Sequence, residues 1–188
     1  MNLPTKSAMN LLSRVQTRGF TNTHAWACLL IVAFGLLLRT WGIHERSVFD
    51  YDEAWYLLEA KSLNDAAVYT VGRITGDDAV RGVSLKTYLH DRGTVPITSL
   101  KPGHNLLMFL SFLLFGVSDT AGLFVSALLG ILTIGLVYRI AQELFDDHTA
   151  LLSSAVLAAS GFHIIYSRSA LAQADSTFFV ALGLLYWV

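Results

Sequence analysis

Long apolar runs without a single charge constrain this chain of 188 residues more than any other feature. Three of them, Ala25 to Leu38, Thr120 to Tyr138 and Thr149 to Ser167, contain no Asp, Glu, Lys or Arg, and the chain is apolar again from Ser176 to Val188. A helix needs about 20 predominantly apolar residues to cross a bilayer. The runs therefore predict an all-α polytopic membrane protein.

The composition agrees with this class and excludes others. Only 14% of the residues are charged and the mean hydropathy is +0.52, whereas soluble domains carry about 25% charged residues. These values exclude a soluble enzyme. The net charge of −1 indicates no nucleic-acid-binding surface, and the lone Cys28 excludes an intramolecular disulfide.

The charges between the apolar runs predict the membrane topology. The tail, residues 1–24, has three basic residues and no acidic one, which predicts a cytoplasmic amino terminus. Residues 25–43 are predicted to be the first transmembrane helix and 44–119 an external loop. Transmembrane helices two to four are expected within 120–188. The last of them stops in mid-run, so we expect the chain to be the front part of a longer protein.

Two of these predictions have alternatives. The first apolar run could be a cleaved signal peptide, but Arg39-Thr40-Trp41 stands where a small-x-small cleavage site would follow, which favours an anchor with Arg39 snorkelling to the surface. The apolar core of the short segment 102–118, residues 106–115, would be about 15 Å long as a helix. A segment of this length is more often interfacial than spanning. If it spanned, Asp52 and Asp175 would lie on opposite sides of the membrane.

The external loop is predicted to contain two interfacial helices, at about 52–64 and 103–116. The first has Trp55 and Tyr56 near its start, which is typical of a helix at a bilayer surface. Residues 65–100 contain four glycines and Pro96 among scattered charges, and we expect them to form an irregular loop.

Carboxylates at the start of the first interfacial helix are the strongest candidates for chemistry. Asp52 or Glu53 could remove a proton from an attacking hydroxyl. Alternatively, Asp50 and Glu53 form a capping box that only stabilises the helix start.

Two further polar segments have alternatives of the same kind. Lys101, at the start of the short apolar helix, could bind a lipid phosphate together with the N–H groups of the helix, or could simply snorkel. Arg168 and Asp175 bracket a polar break between two predicted spans, and are either functional or an ion pair between helices. The histidines show no metal-ligand spacing, and no phosphate-binding Gly loop or Ser nucleophile motif is present.

The order of these features resembles the GT-C superfamily of membrane glycosyltransferases. It comprises a first span, the run Asp-Glu-Ala-Trp-Tyr at 52–56, Lys101-Pro102, and the turn Leu-Val-Tyr-Arg-Ile-Ala-Gln-Glu-Leu-Phe at 136–145. The motifs are most similar to those of dolichyl-phosphate-mannose protein mannosyltransferases and lipid A aminoarabinose transferases. Residues from about 30 to 188 carry the resemblance, with a GT-C transmembrane bundle as the expected fold.

The resemblance implies a transferase that uses a polyprenyl-phosphate-linked sugar and a protein or lipid acceptor. Its site would face outward from a multi-pass protein of a bacterial or archaeal cell membrane. Asp52 and Glu53 would be catalytic, with Asp52 as the base and Glu53 orienting the acceptor. Tyr56, Lys101, Arg168 and Asp175 would bind the donor.

Two departures from the family pattern are visible. The family's Lys-Pro-Pro-Leu is here Lys101-Pro102-Gly103-His104, and the interval from Arg168 to Asp175 is longer than the common Ser-Arg-x-x-x-x-Asp form. A divalent cation held by the acidic residues stays compatible with the sequence. The alternatives to this function are a non-catalytic membrane subunit or transporter component, and a GT-C-like transferase with a different donor.

Overall fold

The computed structural model describes residues 22–46, 48, 50–98 and 101–188, and within these ranges it contains α-helices and no strand. Residues 1–21 of the predicted cytoplasmic tail lie outside the described residues. Short 3₁₀ helices cover Ile43–Glu45 and Asp78–Val80. The α-helices are α1 Asn22–Thr40, α2 Tyr51–Thr75, α3 Leu85–Asp91, α4 Pro102–Phe115, α5 Asp119–Leu144, α6 Asp147–Ala159, α7 Gly161–Ser167 and α8 Gln173–Trp187.

Two stretches of the described chain are long and apolar enough to cross a membrane, Thr23–Glu45 and Asp119–Leu144. The pair α6 and α7 would supply a third span, although the two helices are bent by 61°. Together with the absence of strands from the described ranges, these spans confirm the all-α polytopic fold class. The predicted domain boundaries and the side of the membrane on which each loop lies stay predictions.

The predicted single helix over Thr149–Ser167 is divided at Ser160. Ser160 leaves the helical backbone conformation with ψ 113°, and its hydroxyl accepts a hydrogen bond from the backbone N–H of His163 at 3.5 Å to begin α7. Gly161 follows directly, and Ser and Gly together are a common cause of sharp helix kinks. The break frees carbonyl groups at the end of α6 that need other partners.

Arg39 supplies those partners. Its guanidinium donates to the carbonyl oxygens of Ala158 at 3.1 Å and Leu157 at 3.3 Å, and contacts Nδ1 of His163 at 2.7 Å. The residue is 0% exposed, so the prediction that it snorkels to the surface is wrong. The physical reason is that the freed carbonyls at the carboxyl end of α6 are strong acceptors for a buried cation.

Helix α5 forms the centre of the bundle and packs against α1, α4, α6, α7 and α8. At Gly130 it approaches α7 so closely that an added Cβ atom would lie 2.1 Å from Oγ of Ser167. The helix continues to Leu144, so most of the turn expected at 139–148 is helical. Asp146 then begins α6 by accepting from the N–H of Thr149 at 2.7 Å, a bond that lowers the pKa of the Asp146 carboxyl.

The region expected to be an irregular loop is largely ordered into helix. Helix α2 runs without interruption to Thr75, where Gly76 ends it in the left-handed conformation with φ 78°. Helix α3 begins at a Ser84 cap. The expectation for residues 65–100 was wrong in these segments because Tyr69 packs against Tyr88 and the buried Val80 packs against Gly72. Scattered glycines and charges conceal this tertiary effect in the sequence.

One side of α2 packs against α4, and both helices pack against the start of α5. Their shared apolar core brings the beginnings of α2 and α4 to the same end of the bundle. Oγ of Ser111 in α4 donates to the carbonyl of Ala121 in α5 at 2.6 Å, which fixes this arrangement. The buried apolar residues of the core are Ile43, Tyr56, Leu57, Ala60, Met108, Phe112, Ala121, Leu123, Ala127 and Ala170.

Candidate active site

Three segments distant in sequence meet at one end of the helices: the start of α2, the start of α4, and the stretch 168–175 that links α7 to α8. Oε1 of Glu53 accepts a hydrogen bond from the N–H of Ala170, 117 residues further along, at 3.2 Å. His104 of α4 contacts both Ala170 and Asp175. The contacts form a buried polar cluster that contains two of the acidic residues predicted from the sequence.

The three carboxylates at the start of α2 have different environments. Asp50 caps the helix by accepting from the N–H of Asp52 at 2.9 Å, which confirms the capping interpretation for this residue. Glu53 does not close a capping box; it is 0% exposed and accepts from Arg46 at 3.2 Å. Asp52 is exposed, and its carboxylate has no hydrogen bond or ion pair among the described residues. Its oxygens are therefore available to a substrate.

Lys101 stands immediately before α4, at the N-cap position, and is exposed. Its Nζ atom lies 4.9 Å from the centre of the Tyr56 ring, a distance at which a cation is attracted to the ring face. Pro102 follows at the first helical position and has no N–H group. The N–H groups of His104 and Asn105 donate to the carbonyl of Lys101 at 3.1 and 3.3 Å, which leaves the N–H of Gly103 at the start of the helix. The arrangement places a positive charge and a helix amino end together.

The Tyr56 ring also connects Lys101 to the buried cluster. It meets the imidazole of His104 edge to face, with ring centres 5.2 Å apart and planes at 88°. Tyr56 itself is 8% exposed. Tyr56, Lys101 and the buried pair of His104 and Asp175 therefore form one continuous group of side chains.

Asp175 and Arg168 do not form the ion pair considered from the sequence. Oδ2 of Asp175 lies 2.5 Å from Nδ1 of His104, while the guanidinium of Arg168 donates to the carbonyl of Leu38 at the end of α1, at 3.1 Å. Arg168 is thus directed towards α1, although it is half-buried near the cluster. The predicted donor-binding role of Arg168 stays a prediction.

His104, Glu59 and Asn105 were not predicted from the sequence as site residues. Glu59 is 0% exposed and accepts from the indole of Trp55 at 3.0 Å, the N–H of Thr98 at 2.7 Å and the amide of Asn105 at 2.5 Å. Thr98 and Asn105 precede and follow Lys101 in the sequence, so Glu59 bonds to the chain on both sides of Lys101. A signal for His104 was present, because a polar residue replaces the leucine of the family pattern.

No group of three or more His, Cys, Asp or Glu residues within the described ranges has an arrangement that could hold a metal ion.

The helices and this cluster define a polytopic membrane protein with a polar site at one end of its bundle. Residues 96–188 match the family described as dolichyl-phosphate-mannose-protein mannosyltransferase, and this match confirms the resemblance to the GT-C superfamily. The matched part of the chain is therefore similar to membrane glycosyltransferases of the GT-C type. The matched part includes Lys101, His104, Arg168 and Asp175. Neither a search of curated proteins nor one of solved structures found a match.

Proposed function

We propose that the protein transfers a sugar from a polyprenyl-phosphate donor to a hydroxyl group of a protein or lipid acceptor at the outer face of a bacterial or archaeal cell membrane. One observation carries the proposal: the segment that matches the mannosyltransferase family packs its Lys101 and His104 against Tyr56, four residues after Asp52. Residues inside and outside the family match therefore contribute to a single site.

The proposed reaction is a single in-line displacement. Asp52 accepts the proton of the acceptor hydroxyl while the hydroxyl oxygen forms a bond to the anomeric carbon of the sugar. The bond from that carbon to the phosphate oxygen breaks, and the electron pair leaves with the lipid phosphate. An exposed, unpaired carboxylate such as that of Asp52 suits a base that must meet an incoming acceptor.

Lys101 is proposed to stabilise the departing phosphate. Its ammonium and the N–H group of Gly103 in the first turn of α4 would donate charge-assisted hydrogen bonds to phosphate oxygens. The contact with Tyr56 supports this role because the ring holds the flexible side chain beside the helix amino end. Arg168, Asp175 and Tyr56 complete the proposed donor-binding residues. Of these three, Arg168 is the one whose side chain is directed towards the end of α1, where it donates to the carbonyl of Leu38.

A Lys101→Met variant tests the donor site. We expect kcat/KM for a short-chain polyprenyl-phosphate mannose to fall about 10- to 100-fold, since a hydrogen bond to a charged group contributes roughly 1.5–3 kcal/mol. Release of the lipid phosphate from the donor would be followed with the purified full-length protein in proteoliposomes. Lys86→Met, at an exposed position in α3, is the matched control and should leave the rate unchanged. Equal rates for both variants would remove Lys101 from the donor site.

The contacts also support the topology in which α4 lies at the surface. If α5 crosses the membrane and α6 with α7 crosses back, residues 168–175 return to the side from which α5 started. Asp175 then contacts His104 near the start of α4, so α4 itself does not cross. Asp52 and Asp175 would accordingly face the same side.

Cysteine labelling of a Cys28→Ser protein tests this topology. Single cysteines would replace Asp52 and Gln173, which are exposed at the proposed site, and Phe145, which is exposed at the other end of α5. We expect a membrane-impermeant maleimide to label positions 52 and 173 in intact cells, and position 145 only after permeabilisation. Labelling of 52 and 173 from opposite sides would contradict a shared external site.

A further inference from the structure

His104 and Asp175 form the most deeply buried pair of ionisable side chains in the proposed site. The two side chains are 2% and 7% exposed, and Nδ1 of His104 lies 2.5 Å from Oδ2 of Asp175. The second ring nitrogen, Nε2, lies 2.9 Å from the carbonyl oxygen of Ala170. Both nitrogens therefore have a partner that is an oxygen atom.

The partners determine where protons must be. A carbonyl oxygen can only accept, so Nε2 carries a hydrogen and donates to Ala170. The contact between Nδ1 and the carboxyl group then contains one further proton, either on an imidazolium that faces a carboxylate or on a carboxylic acid that faces a neutral imidazole. Oδ1 of Asp175 is buried without a hydrogen-bond partner among the described residues, which disfavours a full negative charge there.

The pair is connected to Glu53 through a single residue, Ala170. The carbonyl of Ala170 accepts from His104, and the N–H of Ala170 donates to Oε1 of Glu53, which also accepts from Arg46. The ring of His104 supports the ring of Tyr56 on the side of Lys101. His104 thus contacts Ala170, which bonds to Glu53 on the acceptor side of the site, and Tyr56, which contacts Lys101 on the donor side.

We propose that His104 and Asp175 share a proton and act as a positioning pair. The pair fixes the positions of the Glu53 and Tyr56 side chains relative to each other in the site. The proposal rests on the proposed function and deepens it, because it changes the role of Asp175. Asp175 is then a partner of His104 rather than a carboxylate that contacts the donor.

A double-mutant cycle of thermal stability tests the pair without any substrate. His104→Leu and Asp175→Leu each leave one buried polar group without its partner, whereas the double variant removes both. We expect the double variant of the full-length protein to melt at a higher temperature than the sum of the two single shifts predicts. Asp175→Asn should melt close to the wild type, because its amide can donate to Nδ1 as a carboxylic acid does. If the melting shift of the double variant equals the sum of the two single shifts, the two side chains do not act as a pair and the proposal is overturned.

Transfer from a short-chain polyprenyl-phosphate mannose tests the positioning role. We expect His104→Leu to lower kcat about 10- to 100-fold, since a displacement of about 1 Å can cost 10²-fold in rate. Asp175→Asn should retain most of the activity that Asp175→Leu loses. If Asp175→Asn is as slow as Asp175→Leu, Asp175 acts on the substrate as a charged group and the proposal is overturned.

Combination with Glu53→Gln separates positioning from a general loss of structure. If His104 acts through Glu53, the double variant should be no slower than the slower single variant. Multiplied losses would mean independent effects and would overturn the proposal. A wild-type protein that shows no transfer from the mannose donor counts against the proposed function with this sugar and not against the pair, whose existence the melting cycle still decides.

Discussion

An Asp52→Asn variant of the full-length protein should transfer sugar about 10²- to 10⁴-fold more slowly than the wild type, the factor that a positioned general base typically contributes. The amide of asparagine has nearly the shape of the carboxyl group but does not accept a proton at neutral pH. Because the carboxylate of Asp52 is exposed and makes no bond within the described chain, its replacement should leave folding unchanged. The measurement is kcat with a short-chain polyprenyl-phosphate mannose and a saturating acceptor.

Asp50→Asn is the matched control for this experiment. Asp50 lies two residues away and caps α2, and asparagine is as good a cap as aspartate. The control should therefore retain both the stability and the rate of the wild type. A rate for Asp52→Asn within a few-fold of that control would exclude Asp52 as the base.

An Arg39→Met variant should lose stability by roughly 2–5 kcal/mol, because the carbonyl of Ala158 would be left buried without its donor and Nδ1 of His163 would keep only the Ser167 hydroxyl, at 3.4 Å. The variant also loses a cation at the carboxyl end of α6, where the helix dipole favours one. In a protein of this size the change corresponds to a drop of roughly 5 °C or more in apparent melting temperature. Thermal unfolding in detergent, followed by size-exclusion chromatography, would measure it.

Two further variants define what this result means. Arg39→Lys keeps the charge with fewer donors and should lie between the wild type and Arg39→Met. Arg81→Met removes an arginine whose side chain is 76% exposed, and should not change the melting temperature. If Arg39→Met melted with the wild type, the bonds of the guanidinium would not hold the bent pair α6 and α7 in place.

The membrane class follows from the sequence alone because burial in a bilayer demands uninterrupted apolar residues. Thr23–Glu45 and Asp119–Leu144 satisfy that demand, and so does the combined stretch of α6 and α7. The family resemblance could also be stated from local motifs such as Lys101-Pro102, and the match over residues 96–188 confirms it. These features depend on residues close together in the chain, so one sequence is sufficient to recognise them.

Partners across long distances could not be predicted in the same way. Nothing near Arg39 in the sequence indicates that its donors would meet the carbonyl of Ala158, 119 residues away. An arginine near the end of an apolar run is usually a snorkelling residue, and only the break at Ser160 makes burial favourable. The length of α2 was missed for a related reason, since its second half is stabilised by packing against residues beyond Gly76.

The candidate site shows the same division. The sequence by itself determined that Asp52, Glu53, Lys101 and Asp175 were worth attention, because ionisable groups beside membrane helices are costly and seldom incidental. Only the tertiary structure decided their environments: Asp52 open, Glu53 buried against Ala170, and Asp175 bound to His104. Hydrogen bonds between distant segments depend on how helices pack, and the packing of α2, α4 and the 168–175 segment is a property of the whole fold.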